Sequence, residues 1–199
     1  MAAILRSMPT QLSGLVEKQM RNWELARAQR PSEPAPKVEG VHDFVTISRR
    51  AGCGGSELAA LLGERLGWPV FDRELLHAMA GDDGIRKRLY ESMDERDLTW
   101  LEEVLRSLMS SEFPRNDYFH RLTGTVLTVA RKDHAIFLGR AADLILPRGA
   151  GLRVRLTAPV EYCAQRLASR RRMTLDQARA EIQRTEVERA QFVENHFDI

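Results

Sequence analysis

Residues 48–56 read Ser-Arg-Arg-Ala-Gly-Cys-Gly-Gly-Ser, a run that brings two cations, three glycines and two hydroxyls close together. It follows the apolar run Phe44-Val45-Thr46-Ile47 and opens an amphipathic stretch from Ser56 to Leu66, with Gly67 as its expected end. A strand, a glycine-rich turn and a helix N-terminus in that order can cradle a phosphate. The glycines let backbone amides turn inward, and the helix end carries partial positive charge. The common loop has glycine, four free positions, glycine, lysine and a hydroxyl residue. Laid on it, Arg49 stands at the first glycine, Gly54 at the second, Gly55 at the lysine and Ser56 at the hydroxyl. The lysine is therefore missing. Gly52, Gly54 and Gly55 are expected to take positive φ and form an anion nest. Arg49 and Arg50 are expected to supply the missing cation from the strand end, as planar phosphate binders. The bland alternative is a glycine-rich turn that holds nothing. Cys53, at a helix N-terminus, is expected to be alkylated faster than Cys163.

Other side chains capable of phosphate chemistry are spread along the chain. Gly139-Arg140 follows the apolar run Ala135–Leu138, and Asp143 lies one helical turn further on. Asp72 ends the pair Val70-Phe71, and Arg166, Arg170, Arg184 and Arg189 lie on two later helical stretches. Parallel α/β sheets bind ligands at the carboxyl ends of their strands, where Ser48, Arg49, Asp72, Gly139 and Arg140 are expected. Each has an ordinary alternative. Asp72 or Ser56 could simply cap a helix, and the helical arginines could be surface ion pairs. His77 is expected to be packed rather than catalytic, and no histidine pair has metal spacing.

The elements that must position these residues alternate. Strands are expected at 44–47, 70–71, 135–138 and 152–156, separated by helical stretches, which predicts an α/β fold with a parallel sheet flanked by helices. Pro159 is expected in the first turn of a helix running to about Arg171, and Thr174 caps a last helix with Asp176 in its first turn. The region from about 85 to 132 is mostly helical, broken at Phe113-Pro114, and is expected to be an insertion that moves when ligand binds. Residues 31–36, Pro-Ser-Glu-Pro-Ala-Pro, form a stiff linker that divides an N-terminal segment, 1–40, from the main domain, 41–199. Before the linker, Leu12, Val16, Met20 and Trp23 make one apolar stripe on a helix from about Gln11 to Gln29. That stripe is expected either to dock on its own domain or to pair with a second subunit in a homodimer.

The bounds are mild. A chain of 199 residues with 43% hydrophobic content can bury one core. A net charge of +2 is too mild to argue for nucleic acid or a membrane surface as partner, and neither is expected. The two cysteines, Cys53 and Cys163, are far apart in sequence and suggest no disulfide framework. No apolar run approaches the roughly 20 residues of a membrane span, and no cleavable leader is visible, so a cytoplasmic location is the expectation.

The stretch "ISRRAGCGGSELAALLGERLGWPVFDRELL" resembles the opening of the cytidylate kinase-like family, the branch of the nucleoside monophosphate kinases with a P-loop that lacks lysine. "AIFLGRAADLIL" and "LRVRLTAPVEYCAQRLASRRRMTLDQARAEIQRTEVERAQF" resemble its later segments, so the likeness runs from about Phe44 to Phe192. Relatives continue into one more strand. The resemblance implies a P-loop kinase fold that moves the γ-phosphoryl of ATP, with Mg2+, to a nucleoside monophosphate such as CMP or dCMP, or to another small acceptor. It places Ser48, Arg49, Gly52, Cys53, Gly54, Gly55, Ser56, Arg166 and Arg170 around the nucleotide. Ser56 is the magnesium ligand, Asp72, Arg140 and Asp143 face the acceptor, and Arg49, Arg140, Arg184 and Arg189 surround the transferring phosphoryl. A lid is implied over about 170–192. The alternative is a regulatory protein that holds a nucleotide without transferring it.

Overall fold

Four short runs rich in β-branched, aromatic and leucine residues make the sheet. In the computed structural model, which describes residues 40–110 and 117–197 together with 14, 16–18, 20, 21 and 25, they are β1 (Phe44–Arg49), β2 (Val70–Phe71), β3 (Ala135–Leu138) and β4 (Leu152–Leu156). All pair in parallel, in the order β2-β3-β1-β4. Phe44 lies opposite Ala135 and Ile47 opposite Leu138, while Val45 lies opposite Leu152 and Arg49 opposite Leu156. The carboxyl ends of β1 and β3 therefore finish side by side, and their loops share one edge.

Both faces of the sheet are covered, as a parallel sheet requires. Successive residues alternate between the two faces. Val45, Ile47, Ile136 and Leu138 pack with Ala59, Leu58 and Leu62 of helix α1 (Gly55–Leu66). Phe44, Phe71, Ala135 and Phe137 turn to the opposite, larger core. That core is built from α2 (Arg73–Gly81), α3 (Asp83–Glu91), α4 (Glu95–Ser110), α5 (Asp117–Lys132) and α6 (Ala142–Ile145).

Helix α5 ends the segment 85–132 that the sequence reads as an insertion. Every residue from Leu122 to Ala130 is buried, the signature of a helix inside a core. Its end is tied to α4 by Asp97, which accepts from Arg131 Nε at 2.7 Å and Lys132 Nζ at 2.8 Å. The break expected at Phe113-Pro114 lies outside the described residues.

Two helices, α7 (Val160–Arg171) and α8 (Leu175–Glu194), close the site from the other side and pack on each other through Cys163, Ala164, Ala168, Ala178 and Ile182. Thr174 caps α8 in a full capping box with Gln177. Pro159 is the N-cap of α7 rather than a first-turn residue, because its ψ of 143° is extended. The two cysteines, distant in sequence, are brought into one cluster, with half-buried Cys53 packed against buried Cys163. From the N-terminal stripe, Val16 and Met20 are helical and buried in the larger core. Leu12 and Trp23 lie outside the described residues.

Candidate functional site: two clefts that share a wall of arginines

Strand β1 delivers its last residue, Arg49, to the sheet edge, and the chain then turns through residues 50–54 into α1. Gly52 (φ 81°) and Gly54 (φ 96°) take the left-handed backbone that makes the turn. Gly55 does not, contrary to expectation; it is already in the first helical turn. The N-cap of α1 is Gly54, which has no side chain to cap the helix. Ser56 is therefore no cap, and the first-turn amides of α1 have no side-chain cap beside a cleft of about 670 Å3 lined by Gly54, Gly55 and Ser56. The loop lies flat on α7: a Cβ at Gly52 would come within 2.6 Å of the Cys163 carbonyl. Arg50 fastens it by donating from Nη1 to the Ala158 carbonyl at 2.5 Å.

On the other side of Arg49, β3 ends in three successive residues with positive φ: Gly139 (82°), Arg140 (55°) and Ala141 (52°). Left-handed backbone at two consecutive non-glycine residues is strained. It projects Arg140 into a second cleft of about 570 Å3, which Asp143 and Phe192 also line. The Arg140 guanidinium lies over two rings, 5.9 Å from the centroid of Tyr118 and 5.1 Å from that of Phe192. Arg49, Arg50, Arg73 and Arg189 line both clefts. Asp72 lies in the first cleft, beside the loop, rather than in the second with Arg140. Its carboxylate accepts from the Leu75 amide at 2.9 Å, so it also caps α2.

The arginines divide by what holds them. Arg166 Nη2 lies 3.1 Å from Glu57 Oε1, and Arg170 pairs with the same oxygen. Arg184 pairs with Glu181 and Glu188. Arg189 donates to Glu186 at 2.7 Å and to the Arg49 carbonyl at 2.6 Å. By contrast, the guanidiniums of Arg49, Arg73 and Arg140 have no hydrogen bond or ion pair with any described residue. The Arg140 Nε is moreover buried without a partner, and no ion pair joins Arg140 to Asp143. A buried or half-buried cation without a counter-ion is costly. Arg49 and Arg140 are half-buried and Arg73 is exposed; the three together call for an anion that no described residue provides.

The electrostatics agree. Burial, followed by repulsion from Arg189, lowers Arg49 to about 10. Burial lowers Arg140 too, reinforced by Arg73. His77 is exposed rather than packed and bonds Tyr118 Oη through Nδ1 at 3.0 Å. Partial desolvation of its ring and then the charges of Arg140 and Arg73 hold it below the usual histidine range.

Two carboxylates already reach toward the positions an anion would take. Glu57 carries Arg166 and Arg170, and Glu186 accepts from the loop amide of Ala51 at 3.0 Å. Neither was visible in the sequence, and neither was the unpaired Arg73. Glu186 acts across a separation of 135 residues, where no local pattern carries a signal. Arg73 could have been noticed only as a cation next to Asp72. Among the described residues, no group of three or more histidine, cysteine, aspartate or glutamate side chains is placed to hold a metal ion, and no helix is long and apolar enough to cross a membrane.

Residues 44–199 match the profile of the cytidylate kinase-like family. The chain belongs to that family. Membership in the cytidylate kinase-like family points to a nucleotide-binding, kinase-like function. Comparison with the curated proteins gives no significant match. Among solved structures, the crystal structure of an uncharacterized protein from Eubacterium ventriosum ATCC 27560 is similar. It is 18% identical, covers 79% of this chain and 80% of its own, and has a TM-score of 0.62. At that identity it supports the α/β fold of this cytidylate kinase-like chain and nothing about its chemistry.

Proposed function

We propose that this cytidylate kinase-like protein is an ATP-dependent phosphotransferase that moves the γ-phosphoryl group to a small phosphorylated acceptor of the nucleoside monophosphate class. The observation that carries the reading is a set of guanidiniums without a counter-ion among the described residues, Arg49 and Arg73 on the wall the clefts share and Arg140 in the second cleft. The triphosphate lies in the first cleft, on the uncapped amides of α1 and under Arg166, Arg170 and Arg184. The acceptor lies in the second, its phosphate held by the fork of Arg140, with Asp143 to accept from its sugar or base. An acceptor phosphate oxygen then attacks the γ-phosphorus in line, the bond to the bridging oxygen breaks, and the diphosphate leaves. A phosphate monoester needs no base to activate it, so the protein's work is positioning and charge stabilisation.

Magnesium fits this arrangement in one way. With no acidic cluster among the described residues to cage it, the ion would be held chiefly by the phosphates, and Ser56, exposed on the first cleft, is a hydroxyl available to it. When bound, it neutralises charge on the β- and γ-oxygens. Arg49 and Arg189, where the clefts meet, face the transferring group.

A coupled ADP-release assay over a panel of ribo- and deoxyribonucleoside monophosphates tests the proposal. ADP release that depends on one monophosphate, with the diphosphate product formed in equal amount, is the expected result. ATP binding without acceptor-dependent turnover anywhere in the panel would overturn it and leave a nucleotide-holding regulatory protein.

A further inference from the structure

We infer that Arg49 replaces the loop lysine, and that position 55 is glycine because the Arg49 side chain runs through the space its Cβ atom would fill. The inference rests on the reading of the first cleft as the triphosphate site.

Gly55 stands where the lysine of the common loop would stand. Because it is helical and has no positive φ, backbone conformation does not require glycine there. Space does. A Cβ at position 55 would sit 2.7 Å from Arg49 Cγ, closer than carbon atoms approach, and a tight 3.1 Å from Arg49 Cβ. At the far end of the same side chain, a Cβ on Gly139 would run into Arg49 Nη1. The two glycines, one on α1 and one at the end of β3, thus border a channel occupied from end to end by one arginine. Its stem crosses the N-terminus of α1, and its head lies where the two clefts meet.

A lysine rising from position 55 and an arginine arriving from position 49 would compete for the same volume. The chain keeps one cation and has moved its origin from helix to strand. The exchange alters the chemistry. A lysine ammonium is a point charge on a flexible stem, whereas a guanidinium is a planar fork that can hold two phosphate oxygens at once. Placed between the clefts, that fork can touch the γ-phosphoryl group and the acceptor together. No carboxylate claims it, unlike Arg166, Arg170, Arg184 and Arg189.

The test exchanges the two residues. ATP–Mg2+ binding is measured by calorimetry for the wild type, Arg49→Gln, Gly55→Lys and the double variant Arg49→Gly/Gly55→Lys, with melting curves to confirm folding. Arg49→Gln removes the charge, and Gly55→Lys forces two stems into one channel. Each should weaken binding by roughly 10- to 100-fold, the worth of a charge-assisted hydrogen bond. The double variant clears the channel and restores a cation from the helix. It should bind ATP more tightly than either of the other two variants. If Arg49→Gln binds as the wild type does, or if a folded double variant binds no better than Gly55→Lys, the inference is overturned while the nucleotide site stands. If the double variant does not fold, Arg49→Gln decides alone. A wild-type protein that binds neither ATP–Mg2+ nor inorganic triphosphate overturns the nucleotide site and the inference together.

Discussion

Replacing Arg140 with glycine separates function from stability because the structure sets the two in opposition. Arg140 sits at φ 55°, a left-handed backbone that costs a non-glycine residue about 1 kcal/mol and costs glycine nothing. Removing the side chain forfeits the contacts over Tyr118 and Phe192, about 0.5–1 kcal/mol for each ring. The extra freedom of glycine in the unfolded chain takes roughly another 0.5–1 kcal/mol. The net is a loss of about 1 kcal/mol, so the melting temperature of a chain this size should fall by only about 2–4 °C. Acceptor binding has no such compensation. A bidentate guanidinium contributes charge-assisted hydrogen bonds of about 1.5–3 kcal/mol each, so kcat/KM for the acceptor should fall by roughly 100-fold or more. ATP affinity, which rests on the other cleft, should hold. Arg140→Lys, which keeps the charge but loses the fork, should fall between the two in kcat/KM. The readouts are calorimetric melting, ATP titration and acceptor kinetics on the same preparations. A melting temperature that drops by about 10 °C or more, with unchanged acceptor kinetics for the folded fraction, would show that Arg140 is a structural pin and refute the reasoning.

Glu57→Gln should tighten ATP–Mg2+ binding by about 3- to 10-fold, most at low salt, because one half-exposed carboxylate now holds both Arg166 and Arg170; weaker binding in a salt series would mean that Glu57 presents these arginines rather than competes for them. Asp97→Asn should lower the melting temperature by about 5–10 °C, since it strands Arg131 and Lys132. Although burial opposes it, pairing with those two cations holds the Asp97 carboxyl below its ordinary 3.8. Its contribution is therefore present above that value and is lost as pH falls through the lower folded one, so acid melts of the two proteins should converge only there. Half-buried Cys53 should be alkylated well before Cys163 and be protected by ATP, because Cys163 is fully buried and burial raises its thiol; mass spectrometry of partly labelled protein reads the order, and equal rates indifferent to ATP would place the loop away from the nucleotide.

Local pattern carried much of this architecture. The bounds of β3 and β4, the helix opened by Thr174 and the turn at Gly52 and Gly54 all follow from side-chain period and cap chemistry that act over a few residues. What the sequence withheld depends on contacts between distant segments. Nothing near Gly55 says that its missing side chain makes room for Arg49, because the reason is steric and not conformational. Helix α5 reads as an ordinary amphipathic stretch because its polar residues include threonines, and Thr123, Thr125 and Thr128 are buried all the same. A threonine pattern cannot be told from a surface one without the neighbours that cover it. Similarly, six candidate arginines look alike in a list of residues. Only the placement of Glu57, Glu181, Glu186 and Glu188 separates the paired ones from Arg49 and Arg140.

The central claim is that donor and acceptor phosphates meet at Arg49, Arg73 and Arg140. A bisubstrate analogue, two nucleosides joined through a chain of phosphates, tests it most directly in a crystal structure of the complex. The account predicts one phosphate end on the amides of Gly55 and Ser56, the other nucleoside beside Asp143, and the intervening phosphates in contact with the Arg49 and Arg140 guanidiniums. Phosphates bound outside the loop, or a second nucleoside left in solvent with Arg140 still unengaged over Tyr118 and Phe192, would contradict it.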